Sequence, residues 1–261
     1  MTALSDNLEH LEERIAAACR AAGRDRSEIE LMAVSKTFPA EAILEAASFG
    51  ITLFGENRVQ EFAGKAAPLE LLRARADHPI GIHLIGHLQS NKAARAAEIF
   101  DGVDSLDSVR LAERLDAAAG KCGKRLPVLI EVKLSPEAAK TGVEPESEEA
   151  ARLLEALPGF SHLEMRGLMT IAPWGAADGV TRACFGSLLR WRDRWAAAHP
   201  RLNFDVLSMG MSGDFELAIA EGATRIRIGT ALFGARSPQA IRAAAEADQR
   251  DPTRPADVER S

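Results

Sequence analysis

The chain has 261 residues, of which 46% are hydrophobic and 27% charged, a composition typical of a globular protein with one large core. Its net charge of -6 excludes a general role in gripping nucleic-acid phosphates, which requires a clustered basic surface. Cys19, Cys122 and Cys184 are far apart and indicate reduced cytosolic thiols. The N-terminus lacks the apolar run of a signal peptide or membrane span. We therefore predict a cytoplasmic protein with a small-molecule ligand and no nucleic-acid or membrane partner.

The first predicted element is an amphipathic helix, because apolar residues from Leu4 to Ala18 recur at helical spacing before Gly23. From Ile29 onward, short apolar runs alternate with longer helical patterns, which is typical of repeated βα units. The predicted strands are Glu30 to Lys36, Thr52 to Glu56, Gly81 to Ile85, Val103 to Leu106, Pro127 to Lys133, Glu164 to Ile171, Phe204 to Met209 and Arg225 to Gly229.

The strand count favours an α/β fold, a single-domain (β/α)8 TIM-type barrel with an extra N-terminal helix. An open doubly wound sheet is the alternative. Longer helices are predicted at Ser108 to Ala119, Glu148 to Leu157 and Thr181 to Ala198. The barrel is assigned to residues 1–236. Residues 237–261 have almost no large apolar side chains, which predicts a flexible C-terminal tail.

Lys36 is the first candidate for chemistry, because barrels carry their reactive groups at the carboxyl ends of the strands. Strand alternation places Lys36 on one face with Met32 and Val34. If that face is the barrel interior, burial lowers the pKa of the lysine and leaves more of the free amine that condenses with aldehydes. The alternative is a solvated lysine at a strand end.

A phosphate site is predicted at the last two strands, where barrels commonly bind phosphate. Ser208 and Ser212 lie in a glycine-containing segment that opens a helix, and Gly229 and Thr230 follow the next strand. Hydroxyls and glycine amides suit an anion. The alternative is that Ser212 or Asp214 simply caps a helix.

Arg227 is predicted to point into the barrel. Arg225 and Arg227 alternate with two isoleucines, and the helix-facing side of a barrel strand must be apolar. A buried guanidinium needs a partner, such as a ring nitrogen or a carboxylate. An internal salt bridge with Glu131 or Glu164 is the alternative.

Two further ligand contacts are candidates near strand ends. Asn57 follows one strand and could instead cap the next helix, while His83 lies in an apolar strand and could instead be a satisfied core residue. A metal is not expected, because the histidines lack cysteine or carboxylate partners at ligand spacing.

Ordered motifs between Leu4 and Arg236 resemble the pyridoxal phosphate homeostasis protein (YggS/PROSC) family. They are Ala33 to Thr37, Phe54 to Glu61, His83 to Lys92, Lys140 to Gly142, Arg166 to Met169, Leu207 to Ser212 and Arg227 to Thr230. Ile82 and Leu84 depart from the family pattern only by apolar exchange.

The resemblance implies a barrel similar to the N-terminal domain of alanine racemase, with pyridoxal 5'-phosphate held as a covalent aldimine on Lys36. It implies further that Asn57 lies beside the cofactor, and that Arg227 faces the pyridine nitrogen. The phosphate contacts implied by the motifs are Ser208, Gly229 and Thr230, with Ser212 as an additional one.

A carrier is favoured over a catalyst for two reasons. The chain has no tyrosine, the second acid/base group that a racemase of this type needs, and no region for the β-domain that supplies it. Arg227 beside the ring nitrogen would weaken the cofactor as an electron sink. We therefore expect a non-catalytic, monomeric protein that stores pyridoxal phosphate or delivers it to apoenzymes. The alternatives are a pyridoxal phosphate enzyme acting on a small amino acid, with His83 or Lys133 carrying the proton, and a cofactor-free Schiff-base aldolase.

Overall fold

The fold is a closed barrel of eight parallel strands in sequential order, surrounded by helices, as the computed structural model shows. Residues 2–73, 78–135 and 141–235 are described. The strands are β1 Glu30–Val34, β2 Leu53–Glu56, β3 Gly81–Leu84, β4 Gly102–Leu106, β5 Leu126–Glu131, β6 Leu163–Met169, β7 Val206–Ser208 and β8 Arg225–Ile228. The α-helices are α1 Ala3–Ala21, α2 Ala40–Ser48, α3 Val59–Arg73, α4 Ala93–Ile99, α5 Val109–Lys121, α6 Glu148–Ala156, α7 Asp178–Ala198, α8 Phe215–Ala220 and α9 Thr230–Phe233.

The predicted fold class is confirmed, and so are all eight predicted strands. β1 pairs with β2 and also with β8, which closes the barrel and excludes the open sheet. Several strands end earlier than predicted. β1 stops at Val34 because the chain turns away after one further ladder bond, from the Ser35 amide to the Gly55 carbonyl. The predicted tail at 237–261 lies outside the described residues, as does Lys140.

The extra helix α1 packs against α8 and α9. Asn7 donates to the Leu232 carbonyl at 2.9 Å, and Arg14 pairs with Glu216 of α8. The apolar face of α1, which includes Leu11 and Ile15, is fully buried in the main core between the barrel and its helices. The N-terminal helix therefore packs against the helices of the last two βα units.

Inside the barrel, a small apolar cluster and a charged network lie together. The cluster consists of Met32, Val34, Leu53 and Ile85. The network runs across the barrel from β8 to β4 and β3: Arg225 donates to Asp104 at 3.0 Å, and the other carboxylate oxygen of Asp104 lies 2.8 Å from His83 Nδ1. At the amino-terminal end of the barrel, Arg225 also pairs with Glu30 at 2.7 Å. These buried charges therefore satisfy one another, as low-dielectric surroundings require.

The charge of Asp104 is preserved despite its burial. Burial alone would raise the pKa of this carboxyl, but the neighbouring His83 and Arg225 outweigh burial and lower the pKa. The contribution of Asp104 to stability is therefore present above the unfolded pKa of about 3.9 and is lost as the pH falls through the folded value.

Asp104→Asn should lower the free energy of unfolding by about 3–5 kcal/mol, because it leaves Arg225 buried without its full counter-charge. Glu164→Gln is the matched control: it breaks the half-exposed pair with Arg166 and should cost less than about 1 kcal/mol. Urea denaturation measures both. The gap between wild type and Asp104→Asn should narrow in acid, and a gap that widens there would contradict the assigned charge state.

Candidate functional site

The residues predicted for the site are brought to one side of the barrel. They lie in or directly after five strands that are consecutive around the closed sheet, β7, β8, β1, β2 and β3. Arg227 and His83 lie within their strands, and the others end or follow a strand at the carboxyl rim, which is where barrels of this type bind their ligands. In order around the barrel, the predicted residues are Ser208 and Ser212, then Arg227, Gly229 and Thr230, then Lys36, Asn57 and His83.

Lys36 lies two residues beyond β1 and is partly exposed. The loop after β8 begins beside the end of β1, because a Cβ atom built on Gly229 would be 3.6 Å from Val34. The loops after β2 and β3 are also in contact, since a Cβ atom on Gly86 would be 2.2 Å from the Asn57 carbonyl oxygen. A primary amine, an amide side chain and a glycine turn thus share one rim.

Arg227 is buried and points into the barrel, as predicted. Its guanidinium donates to Ser208 Oγ at 2.9 Å and to the Thr170 carbonyl at 2.8 Å. Of the two carboxylates considered as alternative partners, Glu164 pairs with Arg166 and Glu131 accepts from Thr141 Oγ1. Burial lowers the pKa of Arg227 to about 10, so this group remains protonated at neutral pH.

The two serines of the predicted phosphate site have hydroxyl protons available for a ligand. Ser208 Oγ must accept from Arg227, because a guanidinium can only donate. Ser212 Oγ accepts from the backbone amide of Ala231, at 3.3 Å, in the first turn after Gly229. A serine hydroxyl has one proton of its own, so each of these oxygens can still donate to an anion. The hydrogen bond between Ser212 and Ala231 also joins the loop after β7 to the loop after β8.

Asp214 occupies the N-cap position of α8, which was the capping alternative for this loop. Its carboxylate accepts from the Met211 amide at 2.5 Å, so it stabilises the loop backbone rather than the helix end. Neither Ser212 nor Asp214 therefore caps α8 with its side chain in the described structure.

His83 lies in the barrel interior and is almost fully buried. Its Nδ1 is 2.8 Å from Asp104 Oδ1, and the ring packs directly over Gly102, where a Cβ atom would be only 2.5 Å from it. His83 is therefore a hydrogen-bonded interior residue that stands below the rim. Glycine at position 102 is what leaves space for the ring.

The sequence did not indicate the network on the outer side of the β1 end. Lys65 of α3 contacts the fully buried Glu56 at 2.8 Å and Glu61 at 3.2 Å, while Ser35 Oγ donates to Glu56 at 2.7 Å. In the sequence, only Glu56 indicated that such a network exists, because a carboxylate in a buried strand requires a cation. Nothing in the spacing identified Lys65 as that cation.

Glu131, at the end of β5, is a second buried carboxyl that the sequence placed only as a possible partner of Arg227. Its Oε1 accepts from Thr141, whereas Oε2 has no hydrogen-bond partner in the part of the chain described. Burial raises the pKa of Glu131. Lys133, two residues later, lies 3.6 Å from Glu144.

The described residues, 2–73, 78–135 and 141–235, contain no group of His, Cys, Asp and Glu that could hold a metal ion. They also contain no helix that is long and apolar enough to cross a membrane.

Comparison with known proteins gives a consistent family. Residues 7–237 match the family model described as alanine racemase, N-terminal domain. The pyridoxal phosphate homeostasis protein of Pseudomonas aeruginosa is 43% identical over 236 residues, covering 90% of this chain and 97% of that protein. Proteins of the same name from Vibrio cholerae and Escherichia coli are 42% and 40% identical, each covering 90% of this chain and 98% of the relative.

Solved structures agree with these matches. PipY of Synechococcus elongatus, determined with PLP bound, is 43% identical, with a TM-score of 0.71, and the match covers 85% of this chain and 99% of PipY. A protein from Bifidobacterium adolescentis gives a TM-score of 0.80 at 38% identity, over 88% of this chain and 94% of that one. Alanine racemase of Clostridium difficile shares the fold, with a TM-score of 0.69 at 14% identity over 57% of its length.

Gly102→Ala should destabilise the protein by about 1–3 kcal/mol, because the added methyl group would occupy the space of the His83 ring. Gly64→Ala is the control: Gly64 is exposed on α3 with nothing within 4 Å of an added Cβ, so alanine should stabilise it by about 0.5–1 kcal/mol. Urea denaturation measures both changes. Equal effects would contradict the packing of His83 against Gly102.

Proposed function

Because this chain belongs to the alanine racemase N-terminal domain family, and within it to the pyridoxal phosphate homeostasis proteins, we propose that it binds pyridoxal 5'-phosphate and holds it in reserve in the cytoplasm. The observation that carries the proposal is the grouping of an amine, a buried guanidinium and two donating hydroxyls on adjacent strands, in a chain 43% identical to a relative determined with PLP bound. The expected role is storage of the cofactor or its delivery to apoenzymes.

The donor set fits each part of the cofactor. Ser208 and Ser212 have free hydroxyl protons for the phosphate, and Gly229 and Thr230 place a glycine turn and a hydroxyl beside them. Arg227 supplies a fixed cationic donor that suits the lone pair of a pyridine nitrogen. Asn57 would lie beside the ring. His83 would support the site from below through its bond to Asp104.

Lys36 is proposed to form the covalent link. Its neutral amine would condense with the aldehyde of the cofactor, so that a C=N bond replaces the C=O bond and the oxygen is released as water. No oxidant or reductant is needed, and water reverses the reaction. A reversible bond of this kind suits a protein that must later release the cofactor.

Holding rather than turnover is supported by the groups around the site. Bound pyridoxal phosphate supplies an electron sink whose strength depends on protonation of its ring nitrogen, and a permanently charged Arg227 disfavours that protonation. The chain has no tyrosine. Of the two residues considered as alternative proton carriers, His83 is bonded to Asp104 inside the barrel, and Lys133 is paired with Glu144. We therefore propose a non-catalytic carrier.

Purified protein mixed with pyridoxal 5'-phosphate should show the absorption band of a Schiff base, and Lys36→Ala should abolish it because no other amine is proposed at this position. Lys133→Ala is the control and should retain the band. Mass spectrometry after borohydride reduction should place a pyridoxyl adduct on Lys36, which a cofactor-free aldolase would lack. A band that persists in Lys36→Ala would overturn the assignment. Release of α-proton label from an amino acid at turnover rates would instead identify an enzyme.

Delivery should be visible as transfer that survives a trap for free cofactor. The loaded protein is mixed with an apoenzyme and an excess of a pyridoxal phosphate trap, and recovery of apoenzyme activity is followed. Direct handover predicts recovery in the presence of the trap, whereas passive storage predicts complete loss. Lys36→Ala preincubated with the same amount of cofactor serves as the control for carry-over of free ligand.

A further inference from the structure

We propose that Lys65 is a positioning residue for Lys36, and that, together with Glu56 and Glu61, it fixes the backbone turn that presents the Lys36 amine to the barrel mouth. This inference rests on the proposed function of Lys36. It assigns a role to a lysine that lies outside the barrel, on the helix α3, and that would never touch the cofactor.

The contacts of Lys65 bracket Lys36. Its ammonium donates to the carbonyl of Ser35, at 3.3 Å, and to the carbonyl of Phe38, at 3.0 Å. These carbonyls belong to the two residues that flank the Lys36–Thr37 dipeptide, so one charged group contacts the backbone on both sides of it. The same ammonium is held in turn by Glu56 and Glu61.

Thr37 shows that this turn must be held. Its φ is +69°, the left-handed region, which is rare for a β-branched residue. Its amide donates to Glu61 Oε1 at 2.6 Å, the carboxylate oxygen that also contacts Lys65. A backbone in a sparsely populated conformation persists only where its surroundings over-determine it, and such positions cluster at ligand sites. Here Glu61 fixes the amide of the turn while Lys65 fixes its carbonyls.

Stability alone is a poor account of this network. Lys65 and Glu56 form a buried ion pair, with side-chain exposures of 13% and 0%. Buried ion pairs are often matched or exceeded in stability by apolar residues of the same volume. Glu56 also has one carboxylate oxygen without a hydrogen-bond partner in the described chain, which an apolar residue would not leave. What an apolar pair could not provide is a donor to the Ser35 and Phe38 carbonyls.

Loss of this network should therefore affect the covalent step and spare the rest of the site. The proposed phosphate contacts belong to β7, β8 and the loops after them, which Lys65 does not contact through any of its four hydrogen bonds. The Lys36 amine, by contrast, depends on the path of residues 35–38. Misplacing a reacting group by about 1 Å can slow a reaction by about a hundredfold.

The test compares two ligands in three variants. Pyridoxal 5'-phosphate reports condensation through the rate and amplitude of the Schiff-base band, and pyridoxine 5'-phosphate, an alcohol that cannot condense, reports the phosphate and ring contacts alone. Lys65→Met keeps the length of the side chain but cannot donate, and Lys65→Arg keeps the charge and the donors. Lys124→Met is the matched control, because Lys124 also donates to a backbone carbonyl, that of Phe100. Lys124 lies just before β5, at the opposite end of the barrel from Lys36.

Lys65→Met should slow formation of the band by about tenfold or more, while its dissociation constant for pyridoxine 5'-phosphate stays within about threefold of wild type. Lys65→Arg should recover part of the rate, and Lys124→Met should match wild type. If Lys65→Met does not fold, Glu61→Ala, which removes the acceptor of the Thr37 amide, should show the same selective slowing.

Condensation at the wild-type rate in Lys65→Met would overturn the positioning role, as would equal weakening of both ligands, because a merely structural residue loosens the whole site. If Lys65→Met does not fold, the same outcomes in Glu61→Ala decide in its place. Absence of the band in wild-type protein would instead overturn the proposed function, and this inference with it.

Discussion

Closure of the sheet is the constraint on which the other features depend. Because β1 pairs with β8, every strand has an enclosed inner face, and the polar side chains there can reach only one another or a ligand at the mouth. Arg225 is neutralised by Asp104 and Glu30 near the amino-terminal end. Arg227, two residues further along the same face, donates to two uncharged groups among the described residues, Ser208 Oγ and the Thr170 carbonyl. Arg225 is thus paired with carboxylates, whereas Arg227 is held by neutral acceptors.

Local sequence patterns were sufficient to predict features that depend on a single strand, such as the direction of its side chains. Alternation of arginine and isoleucine in β8 predicted that both guanidinium groups point inward, and the structure confirms this. The eight strands and the fold class followed from repeated βα patterns. Strand ends were less well predicted, because the point at which a chain leaves the ladder depends on its neighbours: β1 ends two residues before Lys36.

Contacts between distant segments were not accessible in the same way. The side chain that neutralises Glu56 comes from a separate helix, and Asp104 meets Arg225 across the whole barrel. No periodicity encodes such pairs; a buried charge indicates that a partner must exist without saying where. The positive φ of Thr37 was equally hidden, because threonine rarely adopts it and no glycine marks the turn. The individual roles of Asn57, Ser212, Thr230 and the other site residues remain predictions.

The pairing of β1 with β8 also has a consequence for how the protein is made. Lys36 is synthesised early. Gly229, which lies against Val34 at the end of the same strand, is among the last described residues to be synthesised. The contacts of α1 with Leu232 and Glu216 likewise form only after those residues have been synthesised. Joining first and last elements is a slow, long-range event in folding. A chain that ends before β8 would lack one wall of the barrel, so the proposed site can form only after β8 has been synthesised.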